Sequence, residues 1–335
     1  MQDLMKKVPE LSLLIGLSIV GYFVMGAFNQ VGEAGALTGG GAFVLVLASF
    51  ILSIMIAIVA VIAGVGGGVL FTPIMMAFTT MDTLIIRSTG LVVAMFSGLV
   101  SSGPFMRKGL ADVKIVLYCA IPIIAGAMLG SYAAIALAEV MGAQGDAIVR
   151  LLLGLILVFI AILFIVGGSN TEYPEAGHVS RFSEWMGLKG SYYEESLGRP
   201  MSYQATRVGI GGILFLLVGF TGGFFGLGGG WAVVPVLNLV MTTPLKISAA
   251  SSGVLLAMGN SAAIWPYIKV GALIAALAAP WMLGQVIGGI LGAHILARVR
   301  ANFIRYILIV LLFLTSLKLM SRGVETLLGI DIPVL

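Results

Sequence analysis

GVGGGVLFTP, residues 64–73, interrupts an apolar run that starts near Ala42. A second stretch, GLGGGWAVVP at residues 226–235, repeats its four glycines and its proline at an offset of 162 residues, with five identities in ten positions. Four glycines within five positions end a helix, because each glycine costs about 1 kcal/mol relative to alanine. The same helix break therefore occurs twice, which predicts a chain built from two related halves.

The residues after each glycine stretch predict where the chain becomes helical again. Thr72-Pro73 offers a hydroxyl for the N-cap and a proline for the first helical position, where no N–H is needed. Pro235 has the same predicted role in the second copy, with Val234 in place of the hydroxyl. Only about eight residues then remain before the next polar break, whereas a membrane crossing needs about 20. We therefore predict two re-entrant hairpins, each with a glycine-rich tip at membrane depth.

Each hairpin tip is also a predicted anion site. Backbone away from a helix is tolerated in the membrane only where protein or water surrounds it. The leading N–H groups of the short helix are unpaired and its dipole is positive there, which suits an anion. The expected contacts come from Gly66, Gly67, Gly68, Thr72 and Pro73 in the first copy, and from Gly228, Gly229, Gly230 and Pro235 in the second. In the alternative interpretation, the glycines serve close helix packing alone, since Gly64 and Gly68 also fit a small-xxx-small pattern.

The composition is that of a polytopic membrane protein. Of the 335 residues, 60% are hydrophobic and only 10% are charged, and the mean hydropathy is +1.13. The single cysteine, Cys119, excludes an internal disulfide and a cysteine zinc site. The net charge of +4 comes with basic residues in short loops, which indicates topology signals rather than a nucleic-acid surface.

The apolar runs predict an all-α fold with about nine transmembrane helices in two inverted repeats. We expect a first helix and loop in residues 1–41, a first repeat in 42–167, a polar cytoplasmic connector in 168–205, a second repeat in 206–320 and a C-terminal tail in 321–335. The predicted first helix spans residues 11–28. The first repeat is predicted to end with two helices, 113–138 and 148–167, that are joined by a loop.

The basic residues favour the re-entrant arrangement. If both short helices return to their own side, 13 of the 18 lysines and arginines lie on the side of the N-terminus and 5 lie opposite. If neither returns, the split is 8 against 10. The positive-inside rule prefers the first arrangement and places the N-terminus in the cytoplasm. Inverted repeats with hairpins that meet near the midplane are typical of secondary transporters.

Two helices carry polar stripes that could complete a site. Ser248, Ser251, Ser252 and Asn260 share one helix face. The equivalent helix of the first half carries Arg87, Ser88, Thr89, Ser97, Ser101 and Ser102. Hydroxyls and amides can bind an anion's oxygens, but in membranes they also bond to their own helix or join helices.

Two further residues have two interpretations each. Arg87 either attracts an anion or anchors its helix at the interface. Gln285 either lines the pathway or bridges helices.

The sequence lacks the motifs of several other functions. No Asp or Glu lies in the middle of a predicted helix, which argues against a carboxylate proton relay. There is no HExxH zinc motif and no P-loop lysine. We therefore expect no metal, no cofactor and no enzyme activity.

The paired G-x-G-G-G stretches, each followed by a proline, resemble the sulfite exporter TauE/SafE family over about residues 42–320. The resemblance implies a multi-pass transporter of the bacterial or archaeal plasma membrane. Its implied substrates are sulfite, sulfoacetate, other sulfonates or related organic anions. The expected partners are thus a small anion and the lipid bilayer, with no nucleic acid, and a homodimer stays open. An anion channel of the same fold is the alternative, and a membrane-embedded enzyme is a weaker one.

Overall fold

The computed structural model describes residues 39–63, 65–79, 81–166, 173–174, 181–194, 198–296 and 301–329. The predicted first helix, residues 11–28, lies outside these ranges, as does Gly64. The helices of the first half are α1 (Gly39–Ala63), α2 (Gly68–Phe78), α3 (Thr83–Arg107) and α4 (Val113–Val166). The connector holds α5 (Arg181–Met186), β1 (Lys189–Glu194) and β2 (Arg199–Gln204). The second half has α6 (Val208–Phe225), α7 (Gly230–Pro235) with a π-helical turn (Val236–Val240), α8 (Leu245–Lys269), α9 (Ala275–Leu296) and α10 (Ala301–Leu328).

The chain is an all-α polytopic membrane protein. Among the described residues, five helices are long and apolar enough to cross a membrane, and three shorter apolar helices lie at Ser49–Val61, Gly68–Phe78 and Gly230–Val240. The last two are the short helices that follow the glycine stretches. The number of crossings, and the orientation of the N-terminus, stay predictions.

Both glycine stretches interrupt their helices. Helix α1 ends at Ala63 and α2 begins at Gly68. Helix α6 ends at Phe225 and α7 begins at Gly230. Gly66 has φ +80°, and the second stretch has two glycines with positive φ, Gly226 and Gly228. A side chain would strain the backbone in this conformation, so glycine is required there.

The predicted role of the two prolines is wrong. The short helices begin at Gly68 and Gly230, five residues earlier than expected, so that Pro73 and Pro235 lie inside helical segments. The N-caps are Gly67 and Gly229, and neither makes a side-chain capping bond. Proline has no N–H and crowds the preceding turn, and the turn after Pro235 is π-helical. The first short helix thus starts at Gly68 without a cap from the Thr72 hydroxyl.

The range α4 contains two helices, as predicted, but they meet at a sharp break at Gly142, where φ is 51° and ψ is −125°, instead of being joined by a loop. At 1.5 Å per residue the two helices together are roughly 80 Å long, enough for two passes through a hydrocarbon core of about 30 Å. A single glycine therefore does what a loop was expected to do.

The hairpin helix of each half packs against a helix of the other half. A methyl group added to Gly126 in α4 would overlap the carbonyl of Leu216 in α6. At the same offset of 162 residues, a methyl group on Gly288 in α9 would lie 2.5 Å from the carbonyl oxygen of Ile54 in α1. Glycines let helix backbones approach this closely. Each hairpin helix thus packs on a helix of the other half.

Helices α3 and α8 occupy equivalent places in the two halves and run antiparallel. Ser88, near the start of α3, donates to the carbonyl of Ala272 at 2.9 Å. Ser102, near the end of α3, donates to the carbonyl of Ala249 at 2.8 Å. Equivalent helices in opposite directions are what an inverted repeat requires.

The last helix, α10, ends at Leu328, eight residues beyond residue 320. The connector is partly folded, because β1 and β2 form an antiparallel pair. The domain boundaries themselves stay predictions.

Candidate functional site: two glycine tips in contact

The two glycine tips touch through their backbones. A methyl group on Gly230 would lie 2.5 Å from the carbonyl oxygen of Val65 and 3.4 Å from Cα of Gly66. A methyl group on Gly68 would lie 2.5 Å from the carbonyl oxygen of Leu227. Only residues without a side chain allow this approach, so the repeated glycines bring the two helix breaks together.

Thr72 ties the first short helix to the second tip. Its hydroxyl donates to the carbonyl of Gly226 at 2.7 Å, and both atoms are buried. Gly90 of α3 lies against this bond, since a methyl group there would overlap the Thr72 hydroxyl and the Gly226 carbonyl. The predicted site residue Thr72 therefore joins the two tips instead of capping its own helix.

At the first tip, one backbone N–H group donates to a side chain of the protein, and others come before the first hydrogen bonds within α2. The N–H of Gly67 donates to Oγ of Ser97 at 2.8 Å. The first bonds of α2 run from Leu70 and Phe71 to the Gly67 carbonyl, at 3.2 and 2.9 Å. The N–H groups of Gly68 and Val69 therefore come before the helical ladder, where a helix presents donors to a ligand.

The second tip repeats this pattern. The N–H groups of Ala232 and Val233 donate to the Gly229 carbonyl at 3.0 and 3.1 Å. Those of Gly230 and Trp231 accordingly precede the ladder of the helical segment Gly230–Val240. Two helix N-termini thus meet tip to tip.

Asn260 places an amide beside the second tip. A methyl group on Gly228 would lie 3.1 Å from Nδ2 of Asn260 and 3.3 Å from its Oδ1. Asn260 is only 4% exposed, and its Nδ2 has no hydrogen-bond partner. A buried amide donor without a partner is costly, and an acceptor on a bound ligand would satisfy it.

Gln285 places a second amide beside the first tip. A methyl group on Gly67 would overlap Oε1 of Gln285. The Nε2 group donates to the backbone oxygen and to Oγ of Ser53, both at 3.2 Å, whereas the buried Oε1 has no partner. Gln285 thus bridges α9 to α1 and also lies beside the first tip, and its role in lining a pathway stays a prediction.

Two tryptophans add buried donors near the tips. Trp231 directly follows Gly230, and Trp281 packs edge-on against Phe71 of α2 with ring centroids 4.5 Å apart. Both indole Nε1 groups are buried without a hydrogen-bond partner. Together with Asn260 they make the surroundings of the tips richer in unpaired donors than in unpaired acceptors.

Most serines of the two predicted stripes do not contact the tips. The hydroxyl of Ser88 donates to backbone carbonyls, and so do those of Ser248 and Ser252. Ser251 accepts the N–H of Asp112 at 3.2 Å. Along α8, Ser248 lies 12 residues or about 18 Å from Asn260. Helical spacing placed these residues on one face but gave no information on their distance from the tips.

Ser97 does contact a tip, since its Oγ accepts the N–H of Gly67 at 2.8 Å. Nothing in the spacing of Ser97 along its helix distinguishes it from the neighbouring hydroxyl residues. Thr89 directly precedes Gly90, is fully buried, and its Oγ1 has no partner.

Arg87 is buried beneath the second tip. Its side chain is 1% exposed and its Nη2 lies 3.8 Å from Oδ1 of Asp146. Its guanidinium carbon lies 5.8 Å from the ring centre of Phe224, and a methyl group on Gly226 would overlap the Arg87 backbone. The Nε and Nη1 groups have no hydrogen-bond partner. Arg87 is therefore packed inside the protein, and both interpretations of its role stay predictions.

Within the described part of the chain, no group of three or more His, Cys, Asp or Glu residues could hold a metal ion. Two helix breaks that meet inside a bundle of membrane-length helices define a class of protein, the polytopic helical membrane transporters.

The chain belongs to the sulfite exporter TauE/SafE family, whose model matches residues 48–319. The resemblance seen in the paired glycine motifs is thereby confirmed. The chain is also similar to the probable membrane transporter protein YunE of Bacillus subtilis (strain 168), with 24% identity over 289 residues, or 82% of this chain and 99% of that protein. No solved structure gives a significant match. Both descriptions are of transporters, which agrees with the expectation that the protein is not an enzyme.

Proposed function

We propose that the protein is a secondary transporter that binds one small anion between the two glycine tips. The observation that carries this proposal is the meeting of two helix N-termini beside buried donors that have no partner, above all Nδ2 of Asn260. Helix N-termini attract negative charge through their N–H groups and their dipole. An anion at the tips would satisfy donors that are otherwise buried unpaired.

The donors at the tips are neutral, which bears on affinity. Each helix dipole contributes about 0.3–1 kcal/mol, or up to about 2 kcal/mol when partly buried. A hydrogen bond to a charged group contributes about 1.5–3 kcal/mol. A few such terms, less the cost of dehydrating the anion, correspond to a dissociation constant roughly between micromolar and millimolar. Modest affinity suits a carrier, since the anion must also leave.

The substrate class comes from the family. Sulfite, sulfoacetate and other sulfonates present three oxygens around sulfur, and these oxygens could accept from donors on both tips at once. Gly66, Gly67 and Gly68 with Ser97 would contact one side of the anion, and Gly228, Gly229 and Gly230 with Asn260 would contact the other. Arg87, next to the second tip, would add a positive charge at the end of α3 opposite the connector.

The membrane placement completes the proposal. The N-terminus and connector lie in the cytoplasm of a bacterial or archaeal plasma membrane, and the two halves are inverted repeats. The antiparallel course of α3 and α8 supports this arrangement. The positions of the charged residues also support it, because Arg87 pairs with Asp146 near the α4 break, whereas Lys246 pairs with Glu194 of the connector.

Uptake into liposomes containing the purified protein tests the proposal. Sulfite, taurine-like sulfonates, sulfate and small carboxylates are compared under imposed pH and sodium gradients. We expect saturable sulfite or sulfonate uptake, with counterflow when unlabelled anion is inside. Flux without counterflow, together with single-channel currents in a planar bilayer, would instead establish an anion channel. No anion flux of either kind would contradict the proposal.

A further inference from the structure

The β1–β2 pair of the connector covers one end of the helix bundle. Tyr192 of β1 and Met201 of β2 pack against Leu110, in the turn after α3, and against Ile247 of α8. The chain around this pair therefore contacts both halves of the protein at the end of α3 that lies away from Arg87.

A hydrogen bond fixes the same strands to the first half. The hydroxyl of Tyr203 donates to Oδ2 of Asp112 at 2.6 Å. Burial, together with this bond to Asp112, raises the pKa of Tyr203, so the phenol stays protonated and keeps donating at any physiological pH. Asp112 in turn caps α4, since its Oδ1 accepts the N–H of Lys114 at 2.8 Å. The attachment is thus built into the start of a membrane helix.

A cleft of about 480 Å³ lies between these strands and the end of α3. Its walls include Pro104, Lys108, Leu110, Ser191, Tyr193 and Lys246. Among the residues that the structure describes, the charged ones that line it are Lys108 and Lys246, both basic. Basic side chains in a cleft concentrate anions. It therefore has the size and the charge to receive a small hydrated anion.

One carboxylate already engages the charge of this cleft. Glu194, at the end of β1, is fully buried, and its Oε1 lies 2.5 Å from Nζ of Lys246. The side chain of Lys246 keeps 33% of its exposure and lines the cleft. Arg199 lies across from Glu194 in the strand pair but is exposed. Lys246 is therefore the basic group that both the cleft and the buried carboxylate share.

We propose that this cleft is an anion vestibule for the transported substrate and that Glu194 is a tethered competitor, which holds Lys246 until an incoming anion takes its place. This inference rests on the proposed function, because it assumes that the protein carries an anion. It adds a second binding region, outside the tips, and a residue that tunes it. The vestibule lies at the C-terminal end of α3 and the N-terminal end of α8. These are the two helices that flank the tips.

Glu194→Gln removes the charge of the competing carboxylate and leaves Lys246 in place. The amide keeps the size of the carboxylate and removes its charge, and Lys246 can remain solvated because it is partly exposed. Glu184→Gln is the matched control. It removes the same charge from the same connector, but Glu184 is exposed in α5 and does not line the cleft.

The first experiment measures the electrostatic potential of the cleft without relying on transport. Ser191→Cys places a thiol in its wall, while the native Cys119 is buried and is replaced by Ser. The ratio of the modification rates by an anionic and a cationic methanethiosulfonate reagent reports the local potential. Adding Glu194→Gln should raise this ratio about two- to fivefold at low salt, as expected for losing one negative charge within about one Debye length. Adding Glu184→Gln should leave it unchanged.

The second experiment measures sulfite uptake in liposomes. Glu194→Gln should lower KM about two- to fivefold at low ionic strength, and the difference should fade in high salt. The double variant with Lys246→Gln should lose this gain. An unchanged rate ratio and an unchanged KM in Glu194→Gln would overturn the inference. A raised rate ratio without any anion transport would refute the proposed function and, with it, the substrate role of the vestibule.

Discussion

Gly68→Ala is the substitution that most directly tests the contact between the two tips. Its added methyl group would lie 2.5 Å from the carbonyl oxygen of Leu227 and 2.7 Å from Cβ of Ala94. Ordinary van der Waals contact begins at 3.4 Å, so the first tip must withdraw by 0.9 Å (3.4 minus 2.5) from the second. The obstacle is a backbone carbonyl, which cannot rotate away as a side chain can.

This withdrawal should cost both stability and binding. Overpacking of a tight site costs about 1–3 kcal/mol of folding free energy. A displacement of nearly 1 Å also moves the N–H groups of one tip away from an anion held by the other. Loss of one charge-assisted hydrogen bond, about 1.5–3 kcal/mol, corresponds to roughly 10- to 100-fold weaker binding.

The assay combines sulfite uptake in liposomes with thermal unfolding in detergent. Gly209→Ala is the matched control, because Gly209 also lies in a helix, α6, and an added methyl group there would meet no other part of the protein within 4 Å. Alanine is better than glycine in a helix by up to about 1 kcal/mol, so the control should be as stable as the wild type or more stable, with normal uptake. If Gly68→Ala behaved like Gly209→Ala in both measurements, the tips would not be in contact and our reasoning would be refuted.

Three further substitutions probe the surroundings of the tips. Gly67→Leu should abolish sulfite uptake with little change in unfolding temperature, because an added side chain first meets the movable amide of Gln285. Gly229→Leu should abolish uptake and also lower the unfolding temperature. Apolar side chains of two neighbouring helices lie 2.9 and 3.4 Å from a methyl group added at Gly229. Asn260→Asp should raise KM for sulfite at least tenfold, since a carboxylate repels an anion, whereas Asn260→Ala should raise it less; equal effects would mean that the amide only packs. Arg87→Gln should lower uptake about fivefold or more and should also lower the unfolding temperature, because the contacts of Nη2 with Asp146 and Thr83 are lost; normal uptake with a lowered unfolding temperature would make Arg87 purely structural.

The sequence was sufficient to predict the helix breaks, because they depend on local backbone chemistry. Four glycines within five positions, found twice, cannot continue a helix, and the structure has both breaks where they were expected. The helix restarts were misplaced by five residues for a related reason. A hydroxyl before a proline is a good N-cap signal, but Gly67 and Gly229 begin the short helices without any side-chain cap.

The composition of the site was harder to predict, because it depends on distances between halves. Asn260 and Gln285 were selected for their residue type and do lie beside the tips. Ser248 and Ser251 had the same claim by spacing along a helix face, but they lie toward the connector and bond to backbone groups. Nothing in a single helical stripe says which of its turns is level with a glycine tip on another element.

The exchange of helices between the halves determines what can move during transport. Because α1 lies against α9 through Gly288, and α6 lies against α4 through Gly126, neither sequence half is a unit with its own packed interior. A rocking motion between residues 42–167 and 206–320 would tear apart the closest backbone contacts of the bundle. We therefore expect moving units that mix the two halves, with α1 moving together with α9 and α4 moving together with α6. The same interlocking means that the two halves, expressed as separate chains, would each need the other in order to fold.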